Sequence, residues 1–143
     1  MQRCFDLATL GMGAVSPNPV VGAVIVCEDR IIGEGFHRTF GEAHAEVNAV
    51  RSVSPADREL LKKSTMYVSL EPCCVYGKTP PCTDLILDQE IPRVVISCLD
   101  QTPEVNGRGV QSLRRAGVEV LTGVLEAQGQ RLNRFRSTFI TQG

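Results

Sequence analysis

Residues 20–27 read VVGAVIVC, eight positions without a charge and dominated by β-branched side chains. A run of that length and branching favours a buried strand, and it is far short of a membrane span. Glu28-Asp29 follows as a turn. Residues 30–37, RIIGEGFH, then return as a hairpin partner. Everything after this hairpin has to be organised around a strand pair that needs cover on both faces.

The remaining chain alternates strands and helices. Residues 1–10 predict a short helix stopped by Gly11 and Gly13, and SPNP at 16–19 predicts a rigid turn. HAEVNAVRSV at 44–53 places Ala45, Ala49, Val50 and Val53 at helical spacing. A short helical piece runs from Ser54-Pro55 to Lys63, and residues 65–70 form a third strand. Residues 81–90 form a helix with Pro80 and Pro81 at its first turn, where proline is tolerated. Strands at 93–99 and 118–122 flank a helix at 110–116, and an amphipathic helix at 125–139 closes the pattern. Strands alternating with helices imply a largely parallel sheet covered on both faces, with ligands gathered beyond the carboxyl ends of its strands. A chain of 143 residues makes one such domain, spanning 1–143, and not two.

Charge narrows the function. With 15 basic and 16 acidic side chains the net charge is −1, so no global field draws the chain to nucleic acid or to a membrane surface. An anionic ligand has to be held by a few placed groups. Tryptophan is absent and aromatic residues make up 5%, too few for a base-stacking platform. The first residues, MQRCFDLATLGMG, lack the apolar stretch of a secretory signal. The expected compartment is therefore the cytoplasm, where the six cysteines are kept reduced rather than paired in disulfides.

Two short segments carry the chemistry. One is His44-Ala45-Glu46, and the other is Glu71-Pro72-Cys73 followed by Cys82, with eight residues between the two cysteines. His44 and Cys82 both fall at predicted helix starts. There, partial positive charge and unpaired N–H groups favour thiolate, the form that binds metal. One imidazole and two thiolates suit zinc, and three protein ligands leave a fourth position for water, the mark of a catalytic rather than a structural site. Glu46, two residues from His44, can stand beside the metal without ligating it and move a proton between that water and a substrate. H-x-E with a later P-C and a further cysteine matches the zinc-deaminase signature, although here the second half is longer than the usual P-C-x-x-C. Cys74 reads as a small buried hydrophobe, since adjacent residues chelate one tetrahedral ion awkwardly.

The segments SPNPVVGAVIV, IIGEGFH, GEAHAEVNA, YVSLEPC, YGKTPPC and NGRGV together cover nearly the whole chain. In them the sequence resembles the deaminase domain of the RibD family of riboflavin-biosynthesis proteins, the diaminohydroxyphosphoribosylaminopyrimidine deaminases. HAE with PC alone would point only to the wider cytidine-deaminase-like superfamily; SPNPVVGAV with GKTPPC is narrower. The resemblance implies a three-layer α/β/α sandwich on a mixed five-stranded sheet. It also implies hydrolysis of a cyclic amidine C–N bond: the C2 amine of 2,5-diamino-6-ribosylamino-4(3H)-pyrimidinone 5′-phosphate leaves as ammonia, giving 5-amino-6-ribosylaminouracil 5′-phosphate.

The family's zinc ligands fall on His44, Cys73 and Cys82, and its proton shuttle on Glu46. Its substrate contacts fall on Asn18, His37 and Asp100. Lys78, backed by Gly77 and stiffened by Pro80 and Pro81, is placed to meet the substrate phosphate through a charge-assisted contact, with Thr79 adding a hydroxyl. Two positions depart from the family: Val75 stands where histidine is usual, and Thr102 where many relatives carry asparagine. Both bear on the substrate side and leave the zinc residues intact. Family members usually continue into an NADPH-dependent reductase domain, which is absent from this chain, so a reductase is expected as a fused or separate partner. Assembly into a homo-oligomer is also expected from the superfamily. The rival readings are a deaminase of cytosine, guanine or a tRNA adenosine, and a non-catalytic zinc module.

Overall fold

The computed structural model describes residues 1–14, 19–38, 43–73, 81–100 and 106–132. Five strands form one sheet: β1 (Gly22–Cys27), β2 (Arg30–Phe36), β3 (Thr65–Leu70), β4 (Arg93–Cys98) and β5 (Glu119–Leu121), in the order β2-β1-β3-β4-β5. Among the described residues the helices are α1 (Gln2–Thr9), α2 (Ala45–Ser52), α3 (Cys82–Asp88), α4 (Arg108–Arg115) and a last helix over 126–132, with a 3₁₀ segment at Pro55–Lys63.

The sheet is mixed, as the family resemblance implies, rather than mostly parallel, as the alternation of elements alone suggests. β3, β4 and β5 run parallel, but β1 is antiparallel to both of its neighbours. The hairpin explains this. β2 must reverse on β1, and α2 then carries the chain over β1 so that β3 pairs on its far side, parallel to β2. The hairpin turn is tight: Glu28 and Asp29 both adopt positive φ, 50° and 66°, which matches the right-handed twist of the strands at the cost of left-handed backbone in two non-glycine residues.

The central strands bury alternate residues on a single large core. Ile25, Met66, Val68, Val94 and Ile96 meet Ala45 and Ala49 of α2, Ile86 of α3 and Leu113 of α4. The other face is closed by α1, whose Cys4 and Leu7 pack on Val24, with Phe36 and Tyr67 beside them. The helix over 126–132 joins α1 there: Leu132 packs with Ala8 and Val20, and Ser97 Oγ donates to Leu125 C=O at 3.2 Å. That helix begins one residue later than the pattern predicts because Leu125 takes a φ of 54°. The result is three layers, helices–sheet–helices. Among the described residues, no helix is long and apolar enough to cross a membrane.

Candidate metal centre and active-site cavity

Three elements deliver the side chains that could hold a metal ion. β3 ends at Leu70 and releases Glu71-Pro72-Cys73 beyond the carboxyl edge of the sheet. Cys82 is the first residue of α3, and His44 is the N-cap of α2. The Cys73 segment is tied onto α3 by two bonds: the Cys82 N–H donates to Cys73 Sγ at 3.3 Å, and the Thr83 N–H donates to the Cys73 C=O at 3.1 Å.

The three ligand atoms lie within 4.8 Å of one another. His44 Nδ1 is 3.3 Å from Cys82 Sγ and 3.8 Å from Cys73 Sγ. A tetrahedral zinc with Zn–S of about 2.3 Å and Zn–N of about 2.0–2.1 Å requires N···S edges of roughly 3.5 Å, so the two distances bracket what that ion needs. Nδ1, not Nε2, is the nitrogen turned to the sulfurs. Among the described residues, Cys4, Cys27, Cys73, Cys82 and Cys98 are all free of disulfides.

The sulfurs share their protons unequally. The Cys73 thiol is brought down to about 4, chiefly because Cys82 donates to it, helped by His44 and the Cys82 N–H. Cys82 is pushed up in turn by its proton bond to Cys73 and by burial. The Cys73 sulfur raises the His44 imidazole above its ordinary value, with Glu46 contributing. Glu46 is 4% exposed, and burial pushes its carboxyl up to about 7, with the negative Cys73 adding to the shift. A carboxyl held near neutrality is suited to taking a proton and giving it back.

These groups face a cavity of about 220 Å³ lined by His37, His44, Glu46, Glu71, Cys73 and Asp100, among others. His37 is buried at the end of β2, its ring edge-on to that of His44 with centroids 5.4 Å apart. Its Nδ1 lies 3.1 Å from the Ala43 carbonyl. A carbonyl can only accept, so Nδ1 carries a hydrogen. Asp100 follows β4 at the same edge of the sheet. Asn18, Lys78 and Thr79, with Cys74, Val75 and Thr102, lie outside the described residues.

α2 sets where His44 and Glu46 stand, and it is strapped to β2. Asn48 Nδ2 donates to the carbonyls of Phe36 at 2.8 Å and Ala43 at 3.3 Å. Ser52 Oγ accepts from the Glu34 N–H at 2.9 Å. Glu71 is the residue to which the sequence reading gave no role. Its carboxylate is buried and accepts three backbone N–H groups, from Asp100, Gly107 and Val110. The signal was an acid directly after the apolar strand YVSL.

Residues 1–98 match the family described as the cytidine and deoxycytidylate deaminase zinc-binding region. A diaminohydroxyphosphoribosylamino-pyrimidine deaminase of Buchnera aphidicola is 46% identical over 94% of this chain and 88% of its own length. The riboflavin biosynthesis protein RibD of Aquifex aeolicus is 46% identical over 99% of the chain, which spans only 39% of that relative. Among solved structures, a diaminohydroxyphosphoribosylaminopyrimidine deaminase/5-amino-6-(5-phosphoribosylamino)uracil reductase of Thermotoga maritima superposes with a TM-score of 0.91 at 47% identity. It covers 99% of this chain and 40% of that one. Family match, full-length deaminase relative and superposed fold agree: this chain belongs to the zinc-dependent diaminohydroxyphosphoribosylaminopyrimidine deaminases of riboflavin biosynthesis, within the cytidine-deaminase-like fold.

Proposed function

We propose that the chain hydrolyses the C2 amine of 2,5-diamino-6-ribosylamino-4(3H)-pyrimidinone 5′-phosphate, releasing ammonia and 5-amino-6-ribosylaminouracil 5′-phosphate. The observation that carries this is the convergence of His44 Nδ1 and the sulfurs of Cys73 and Cys82, with buried Glu46 against Cys82, in a chain 46% identical to the Buchnera deaminase.

His44, Cys73 and Cys82 would hold zinc, and both sulfurs bind as thiolates, so loading releases the proton they share. Bound there, zinc supplies a Lewis acid that brings the pKa of water toward neutrality. Glu46 accepts the proton that water gives up, delivers it to the ring nitrogen, and assists departure of the amine. Its burial keeps it at a proton affinity compatible with both directions of transfer. His37, oriented by its Nδ1 bond to the Ala43 carbonyl, lines the cavity on the ribosyl side, and Asp100 accepts from ribose hydroxyls. Asn18, flanked in sequence by Pro17 and Pro19, reads the amide-like edge of the base. Lys78 and Thr79 meet the phosphate.

The near-neutral net charge of −1 gives no electrostatic footprint for tRNA, which favours the small ribotide over a nucleic-acid substrate. A reductase acting on the product, fused or separate, is the partner this reading requires. Cytoplasmic residence and a homo-oligomeric assembly complete it.

The test is ammonia release from the diaminopyrimidine ribotide by purified protein, with and without chelator and with zinc restored, beside cytosine, guanine and adenosine amines. The ribotide should be turned over, chelation should abolish turnover, and zinc should restore it. Turnover of another amine in its place, or full activity in a metal-free protein, would overturn the reading.

A further inference from the structure

Glu71 lines the cavity. Its N–H donates to the Cys98 C=O at 3.0 Å, joining the ends of β3 and β4, and two residues later comes Cys73. Its side chain faces the opposite segment. One oxygen, Oε1, accepts from the N–H groups of Asp100 at 3.1 Å and Gly107 at 2.9 Å. The other, Oε2, accepts from the Val110 N–H at 3.1 Å.

Gly107 is the N-cap of α4 and offers no side chain to its own helix, so Glu71 satisfies two N–H groups that the helix start would otherwise leave unpartnered. The approach is close. A Cβ built on Gly109 would strike the Pro72 carbonyl and lie 3.2 Å from Glu71 Oε2. The third N–H belongs to Asp100, a cavity residue seven positions before Gly107. One carboxylate oxygen therefore fixes the backbone of Asp100 against the start of a helix.

We propose that Glu71 is a positioning residue for substrate binding, acting through Asp100. Its carboxylate holds the Asp100 backbone so that the Asp100 side chain meets the ribose hydroxyls. This rests on the ribotide reading given above for the same cavity. A purely scaffolding role would affect folding alone, and a role through Cys73 would appear in the metal.

Glu71→Gln keeps the volume but leaves one acceptor oxygen where three N–H groups need two. The experiment is a double-mutant cycle on zinc-loaded protein: wild type, Glu71→Gln, Asp100→Ala and the double variant. KM, kcat, zinc content, melting temperature and calorimetric affinity for the product ribotide are measured for each. Glu71→Gln should raise KM about tenfold and weaken product binding equally, with kcat within about threefold and one zinc retained. In the Asp100→Ala background it should add less than about twofold. Independent, multiplying effects would overturn the proposal, as would lost zinc or a fallen kcat with KM unchanged.

Should Glu71→Gln not fold, Glu71→Asp, which keeps both oxygens but is one methylene short, is run in the same cycle against the same criteria. The calorimetric cycle needs no turnover. If wild type deaminates a different amine, the function reading fails on its own, and the same four variants are compared on that amine.

Discussion

Replacing Gly35 by alanine should damage the active site without touching it. Gly33 and Gly35 lie two apart on β2 and both face α2, the helix that carries His44 at its cap and Glu46 in its first turn. A Cβ on Gly35 would lie 2.6 Å from the Ala45 carbonyl oxygen and 2.7 Å from the Asn48 carbonyl carbon, with the Ala49 nitrogen nearer still; ordinary contact begins at 3.4 Å. All three neighbours are backbone, so no side chain can rotate away, and α2 has to retreat by about 1 Å.

Overpacking of this kind costs about 1–3 kcal/mol. For a chain of this size that lowers the melting temperature by about 3–10 °C. The larger consequence is catalytic, because a 1 Å misplacement of reacting groups costs about 10²-fold in rate. Gly35→Ala should therefore lose kcat by about two orders of magnitude at temperatures where it is still folded, and bind zinc more weakly because His44 moves with the helix. Thermal melts, metal analysis and ammonia release on the same preparation measure all three. A Gly35→Ala protein with wild-type melting temperature, zinc content and kcat would refute the claim that β2 sets the position of α2.

Glu46→Gln should keep its zinc and lose about 10²–10⁴-fold in kcat, the usual size of a general acid–base contribution, as read by metal analysis and steady-state ammonia release. Retained turnover would remove Glu46 from proton transfer. Lys78→Ala should raise KM for the phosphorylated substrate about 10–100-fold, as expected for one charge-assisted contact, and leave a dephosphorylated analogue unaffected. Equal effects on both substrates would count against a phosphate contact. In the hairpin, Asp29→Gly should stabilise the fold by about 0.5–1 kcal/mol in denaturant melts, because Asp29 sits at a φ of 66° where glycine is unstrained. No gain would mean that the aspartate side chain already offsets its backbone cost.

Local pattern carried most of the fold. Each strand and helix expected from apolar runs and breakers has a counterpart among the described residues, the last helix over 126–132 with positions 133–139 lying outside them, because strand length, β-branching and helical spacing are properties of short windows. The direction of β1 relative to β3 was harder to read. Alternation of strand and helix suggests parallel pairing, but the sheet order depends on which side of the hairpin α2 crosses, and that is decided by the whole packed core rather than by any window. The start of the last helix failed locally for a similar reason: Leu125, an ordinary helix former, is held at positive φ by its tertiary setting.

The candidate metal ligands and Glu71 differ in legibility for a chemical reason. A metal site needs particular atoms, so it leaves histidine, cysteine and glutamate in a fixed order, and the three ligand atoms of His44, Cys73 and Cys82 do converge in space. Glu71 answers to a need that backbone creates: it accepts three N–H groups, from Asp100, Gly107 and Val110. Backbone donors have no sequence identity, so nothing at positions 100, 107 or 110 announces that an acid is required at 71. The pairing of Gly35 with α2 is hidden in the same way, because the atoms it must clear belong to Ala45, Asn48 and Ala49 only through their main chain. Where an interaction runs from a side chain to backbone, one end is written in the sequence and the other is written only in the fold. Groups of that kind, rather than the ligands themselves, therefore determine how accurately the ligands are held.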